Sequence, residues 1–260
     1  MIEIPLFSRP CYNYFMTMDM AQIDLSLLKE AFETLADVIC DNWDSDEEPS
    51  PILLKKAVIQ LLDILNQNNK GEYIKPEDSL IPDEIDELGD YGLTLLQEMS
   101  AFAADLGISE VSDQMEDLTF PLAVWLVRQN SEIKTIEPIV NAFARQANHI
   151  NDASHLKQLF NYVSEIMESI DPKISQDLEK TNPNRPWRIM IINRAIIATR
   201  SHDKDLMKNS FDTLIEYLPE DAPRFFEEGV EQMHSMNYPE HVKELMQHYY
   251  LLHGSSHTLH

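Results

Sequence analysis

Apolar positions recur at intervals of three and four along most of this chain, the spacing of one face of a helix. The pattern predicts a first helix over residues 24–43. Leu27, Leu28, Ala31, Phe32, Leu35, Val38 and Ile39 form its stripe, and Asp24 or Ser26 supplies the N-cap. A second helix runs over 51–66, opens on Pro51, and carries Ile52, Leu53, Ala57, Val58, Leu61, Leu62 and Leu65 on one side. A third runs over 83–106. Asp83, Glu84, Asp86 and Glu87 in its first turn suit the positive end of the helix dipole. Gly89 and Gly92 lie three apart on one face, which allows close contact with another helix. Gly107 is placed to cap the C-terminus.

Further helices are expected over 109–117, 136–148, 152–169 with Asp152 as cap, and, more weakly, 171–180 before the breaker TNPNRP. Residues 120–127, FPLAVWLV, are apolar nearly all round, so this segment should be buried on more than one side after a Thr119 cap. Helix 186–200 is apolar on several sides too. It is followed by helices over 203–218, 220–236 and 239–253. Between these elements, DSDEEPSP at 44–51 reads as a solvated turn, because it lacks the glycine and the terminal glutamate of a calcium loop. Residues 67–82 form the longest expected loop. Residues 1–20, with Phe7, Tyr12, Tyr14 and Phe15, should lie extended with their aromatics buried, and 254–260 should fray.

The helix starts carry a period. Pro186 and Glu220 are thirty-four positions apart, and the same step backwards reaches Asp152 and Leu118. Within the 186–219 unit, Ala195 is a small residue in the first helix, Phe211 an aromatic in the second, and Pro219 closes the unit. In the 220–253 unit, Gly229 and Phe225 take the small and aromatic positions. Residues 152–253 thereby resemble tetratricopeptide repeats, although Arg194, Glu228 and Gln232 depart from the family pattern. The resemblance implies an all-α fold, a right-handed stack of about ten or eleven helices paired as hairpins, with a concave groove for a peptide or protein segment and no chemistry of its own. Residues 1–107 are expected to form an acidic N-terminal helical region and 108–260 the helical-repeat region, either as two domains or as one continuous stack.

Composition narrows the partners. Six glycines are few for a turn-rich β fold. A formal net charge of -25 argues against a nucleic acid backbone and against an anionic lipid surface. The charge is uneven: residues 1–120 hold 26 Asp and Glu against 6 Lys and Arg, and residues 121–260 hold 19 against 14. This is a self-repelling, solvated surface or, in a sharper reading, an acidic face that steers a basic partner. Cys11 and Cys40 make no disulfide framework, no apolar run approaches the ~20 residues of a membrane span, and MIEIPLFSRP lacks the positive start of a signal peptide. The cytoplasm is the expected compartment.

No glycine-rich phosphate loop or nucleophile elbow is present. Neighbouring acids such as Glu116 and Asp117 do not identify a glycosidase pair, which is defined by geometry. The chain is therefore read as a non-enzymatic adaptor or scaffold that binds a protein or peptide partner, without a cofactor. Trp187, Arg188, Asn193, Arg194 and Arg200 on and beside helix 186–200 are the candidate contacts, since tryptophan and arginine dominate binding hot spots. The alternative is an all-α metal-dependent enzyme. Glu231 and His234 form an E-x-x-H step, and His241, Glu244 and His248 share one face of the next helix, so these five are the candidate ligands.

Overall fold

The structure, a computed structural model, describes residues 20, 22–45, 48–70, 82–178 and 180–254. The expected extended segment over 1–20, with Cys11, lies almost wholly outside the described residues, as do 71–81 of the expected long loop and 255–260 of the tail. Among the described residues every regular element is a helix, and one isolated parallel bridge joins Ile133 and Ile170. The helices are α1 (Leu25–Asp41), α2 (Pro51–Lys70), α3 (Pro82–Asp105), α4 (Ser109–Asp117), α5 (Thr119–Arg128), α6 (Glu137–His149), α7 (Ala153–Glu168), α8 (Pro172–Ser175), α9 (Pro186–Arg200), α10 (Lys204–Tyr217), α11 (Ala222–Ser235) and α12 (Glu240–His253). Backbone contacts divide the chain into two units, the first of residues 1–146 and 165–171, the second of 147–164 and 172–260. The expected dividing line after Gly107 falls between α3 and α4, two packed helices of the first unit.

In the first unit, α1 and α2 run antiparallel. Ser26 accepts from Asn66, Lys29 donates to Asp63 at 2.7 Å, and Asp37 pairs with Lys55, three contacts that step in opposite directions along the two helices. Their facing stripes are Leu25, Leu28, Phe32, Leu35 and Ile39 against Leu54, Val58, Leu61, Leu62 and Leu65. Ile52 and Leu53, expected on the α2 stripe, are about half exposed, because a helix turns them away from the Leu54–Val58–Leu61 line. Segment α5 is buried from Thr119 to Leu126, as its all-round apolar character requires.

The glycines of α3 explain how α5 and α2 come so close to it. A methyl group at Gly89 would sit 2.5 Å from a Leu126 Cδ, and one at Gly92 would sit 3.0 Å from a Leu61 Cδ. The helix ends on Gly107, at φ 72°, where Gly107 N–H donates to Ala104 and Ile108 N–H to Ala103. That pair of bonds is a Schellman cap. Asp86 and Asp90 on α3 accept from the backbone N–H groups of Glu132, Lys134 and Thr135, so two acids of this helix hold the segment between α5 and α6.

In the second unit, Asp152 accepts from Ser154 and His155 N–H at 3.0 Å and caps α7. The expected helix over 171–180 stops after one turn. Asp177 takes φ 48°, and its carboxylate meets the Arg185 guanidinium in a fork, with Nη2 2.7 Å from Oδ2. A left-handed residue ends the helical path, and the charge-assisted fork holds it there. Pairs α9–α10 and α11–α12 pack side by side. Phe211 of α10 is fully buried against the rings of Phe225, Phe226 and Tyr249, with centroids 5.1–5.8 Å apart. Each such ring contributes about 1.5–3 kcal/mol of burial, so this cluster is the energetic centre of the last two pairs. Helix α11 begins at Ala222 rather than Glu220, which lengthens the step between first helices to thirty-six residues.

Candidate functional site

Pro186 starts α9, where the missing N–H of proline is not needed. Its helical rotation sends Trp187, Met190, Ile191, Arg194, Ala195, Ile197 and Ala198 inward. Ile192, Ile196 and Arg200 follow at steps of four on another face, which lines a groove. Across from them stand Phe225, Glu228, Gly229, Gln232, Met233 and Met236 of α11 and the turn after it, with Tyr238 and Met246 beyond. The groove holds about 340 Å³. That is the lower end of the range for ligand pockets.

Apolar atoms dominate this site. Ile196 is 39% exposed and Met236 55% exposed, large side chains left open to water at its two edges. Below them Met233 and Met246 are buried. Gly229 admits Met246: a methyl at this position would lie 2.7 Å from the Met246 sulfur. The helices α11 and α12 therefore close on each other at Gly229, and three methionines shape the wall. Methionine is the most adaptable apolar side chain, suited to a surface that must fit another chain.

The five residues expected to contact a partner are placed differently from one another. Trp187 is buried, edge-on to Tyr217 at 5.6 Å. Arg188 forks onto Asp221, with Nη2 2.6 Å from Oδ1, and donates to the Pro183 carbonyl. Asn193 is half-buried. Arg194 is buried over the Phe160 ring, 4.2 Å from its centroid, and donates to Ser164 Oγ, Thr213 Oγ1 and Asn209 Oδ1. Arg200 borders the groove, yet its guanidinium donates to the carbonyls of Ala147 and Ile150. These side chains tie the second unit together and do not converge on one surface. The groove is carried instead by Ile192, Ile196, Phe225, Met233, Met236 and Met246. Their signal in the sequence was a second apolar line on a helix whose core line was already complete, and a local density of methionine.

The proposed metal ligands lie on α11 and α12. His241 Nε2 lies 2.9 Å from the His202 carbonyl oxygen. The His202 ring stands edge-on to Tyr238, and partial burial together with the nearby His241 holds its pKa below the ordinary value. His248 is exposed beside the Tyr249 ring, and Glu231 is exposed on α11. Glu244 lines a separate shallow depression of about 270 Å³ with Val230, Met233, Glu240, Lys243 and Gln247. The His234 side chain lies outside the described residues. Among the described residues, no group of three or more His, Cys, Asp and Glu is placed to hold a metal ion. Nor is any helix there long and apolar enough to cross a membrane.

One further polar cluster is built into the first unit. Arg145 of α6 meets Glu116 at 2.7 Å, Asp117 at 2.9 Å and Asp113 at 3.5 Å, all on α4. Gln146 Nε2 donates to Asp117 Oδ2 at 3.2 Å. Burial pushes the Asp117 carboxyl up to about 6, against the attraction of Arg145, and the neighbouring Asp113 and Glu116 charges push the same way. Both acids are turned onto one guanidinium, so the cluster clamps α4 to α6 rather than presenting paired carboxylates to a substrate. In the second unit, burial and the hydrogen bond donated to Asp212 at 2.7 Å raise the Tyr249 hydroxyl well above its usual range.

With this geometry in hand, no protein-family model, no curated protein and no solved structure matches the chain.

Proposed function

We propose that this protein is a non-enzymatic adaptor or scaffold that binds a segment of another protein in the groove between α9 and α11. The observation that carries the reading is an apolar trough with exposed Ile196 and Met236 at its edges and buried methionines beneath. Water-exposed apolar side chains gathered around a concavity gain from being covered, by about 25 cal/mol for each Å² of apolar surface removed from water.

The finer architecture in this reading is a tetratricopeptide-like stack over residues 152–253. Two features support it. The groove lies between the first helices of two consecutive pairs, where a stack of such pairs turns its concave side. Gly229 sits against Met246 and Phe211 sits among rings of the next pair, which is the small-opposite-large packing of the repeat. The thirty-six-residue step between α9 and α11 is two residues longer than the family period.

The test is site-specific photocrosslinking in cells of the native source. A crosslinker at Ile196 should capture a partner that one at exposed Leu178 does not. With that partner purified, Ile196→Asp should weaken binding by at least about tenfold and Leu178→Asp by less than twofold, because a buried carboxylate against apolar surface is unfavourable. Equal capture from both positions, or binding indifferent to Ile196→Asp, rejects the groove.

A further inference from the structure

The clamp between α4 and α6 holds more acid than its cation balances. Asp113, Glu116 and Asp117 of α4 all face the guanidinium of Arg145. The Asp113 side chain is 62% exposed, so water screens it, whereas those of Glu116 and Asp117 are 13% and 14% exposed. Two half-hidden carboxylates thus share one cation, and a proton on one of them relieves the excess. The remaining helices packed on α4 meet it with neutral groups. Helix α3 does so through the hydroxyls of Ser100 and Ser112, and α1 and α5 bury apolar side chains.

The two acids differ in their neutral partners. Glu116 Oε1 accepts from Asn141 Nδ2 at 2.9 Å, and Asn141 is exposed. Asp117 Oδ2 accepts from Gln146 Nε2 at 3.2 Å, a long bond, and Gln146 is only 3% exposed. The amide oxygen of Gln146 is buried and meets no donor among the described residues. One amide therefore carries both a donor to a titratable acid and a buried acceptor with no partner. Half a turn about the last side-chain torsion exchanges oxygen and nitrogen with almost no change of shape. An amide anchored at both ends would lose its far bond in that turn. Here only the 3.2 Å bond to Asp117 is at stake.

We propose that Asp117 and Gln146 form a proton-operated switch in the α4–α6 clamp: with Asp117 ionised the amide donates to Oδ2, and a proton bound at Oδ2 turns the amide over so that its oxygen accepts. The proton comes from solvent, and Arg145 keeps its bonds to Asp117 Oδ1 and Glu116 in both states. The loaded form replaces a long N–H bond by an O–H bond to an amide oxygen, ordinarily about 2.7 Å, and so draws α4 closer to α6. Burial, aided by Asp113 and Glu116 and opposed by Arg145, sets the Asp117 carboxyl at about 6. Histidine is the ordinary group for that range, and the first unit contains none. The clamp tightens on acidification, because the folded carboxyl holds a proton that the unfolded chain releases.

The experiment is an NMR titration of the full chain from about pH 3 to about pH 8, following the Asp117 carboxyl carbon and the two Gln146 Nε2 protons. With Asp117 ionised, one of those protons is held by a carboxylate and should resonate downfield of its twin. As pH falls through about 6 this offset should disappear, with the same midpoint as the Asp117 carbon. Asp117→Asn should leave the Gln146 protons without pH dependence. Glu116→Gln should keep both curves and move them to lower pH, since a neighbouring negative charge is removed. Thermal melts check that the variants are folded, and the titration of the parent decides the matter without them. An offset that persists while the Asp117 carbon titrates means that the amide does not turn, and the switch falls. It falls equally if the Asp117 midpoint lies near the ordinary 3.8, or if Glu116→Gln abolishes the Gln146 response and so makes Glu116 the proton carrier.

Discussion

Arg145 in the first unit is half-buried and Arg194 in the second is buried, and the two are held in opposite ways. Arg145 in the first unit is surrounded by Asp113, Glu116 and Asp117, charge against charge. Arg194 in the second lies on the Phe160 ring and donates to the neutral oxygens of Ser164, Asn209 and Thr213. The surroundings match. The first unit carries 31 Asp and Glu against 9 Lys and Arg, and no histidine. The second carries 14 against 11, and all nine histidines. Where acids are in excess, a cation is used to hold them. In the second unit Arg185 and Arg188 still pair with Asp177 and Asp221, but Arg194 and Arg200 serve as multidentate donors to uncharged oxygens. The Arg145 cluster should therefore respond to acid through its carboxylates, while the hydrogen bonds from Arg194 to neutral oxygens should be indifferent to it.

Truncating the two arginines gives the largest expected effect and tests that contrast directly. Arg145→Ala leaves Glu116 and Asp117 partly buried without their cation and should cost roughly 3–5 kcal/mol at neutral pH. Below about pH 6 the deficit should shrink, because the stranded acids take up protons. Arg194→Ala removes a stacked stem and hydrogen bonds to three neutral oxygens, and should cost about 2–3 kcal/mol at every pH from 5 to 8. Urea unfolding with hydrogen exchange, which reports α4 and α6 for the first variant and α9 and α10 for the second, measures both. Equal pH dependence of the two deficits would break the comparison.

The same contrast marks what the sequence could and could not disclose. Caps and backbone punctuation were readable, because they depend on neighbours in the chain: Asp24 accepts from Ser26, Asp152 caps α7, and Gly107 takes its positive φ. So was the depth of α5, whose residues leave no polar face to turn outward. The arginines of α9 were readable as unusual but not in their role. An arginine within an apolar helix is a hot-spot candidate or an internal strut depending on whether Ser164 and Asn209, thirty residues before and fifteen after Arg194, arrive opposite it. The helix expected over 171–180 was read too long, because its early end at Ser175 depends on Arg185, eight residues after Asp177. A concave groove was expected beside helix 186–200, but the residues that line it were missed for a related reason. Periodicity shows that Ile196 is apolar, and only the placement of α11 shows that it is left uncovered.

Asp117 sharpens the comparison at intermediate size. Its carboxyl is raised from the ordinary 3.8 to about 6, chiefly by burial. In the unfolded chain it titrates near the ordinary value, so between those two limits the folded state binds more proton. Its contribution to stability is fully present below about pH 4 and is lost as pH rises through about 6. The size is about 3 kcal/mol, from roughly two units at 1.36 kcal/mol each. Asp117→Asn cannot titrate, so the difference in unfolding free energy between it and the parent should change by this amount across pH 4–6. The variant should be flat there where the parent gains on acidification. A difference that stays constant through the window would show that the acid is not held off solvent as the structure places it.

Asp203 in the second unit should give the smallest effect, and the opposite sign. It accepts from Asp205 and Leu206 N–H at the start of α10 and pairs with Lys157 at 2.8 Å. The hydrogen bond from Lys157, then those backbone donors, hold its pKa below the ordinary 3.8, with only partial desolvation working against them. A depressed folded pKa means stability that is present above the ordinary value and lost as pH falls through the folded one. Asp203→Ala should therefore cost about 1 kcal/mol at neutral pH, the usual worth of a helix cap, and progressively less as the medium falls below about pH 4. Two aspartates of similar type thus move stability in opposite directions, and over different ranges: Asp117 between about 4 and 6, Asp203 below about 4. The cause is local. Asp117 is an acid whose burial outweighs its cation, and Asp203 is a half-buried cap whose donors outweigh its burial. Parallel acid titrations of the two variants, read as the change in unfolding free energy per pH unit, should cross in sign. If both slopes carry the same sign, charge is not handled differently in the two regions.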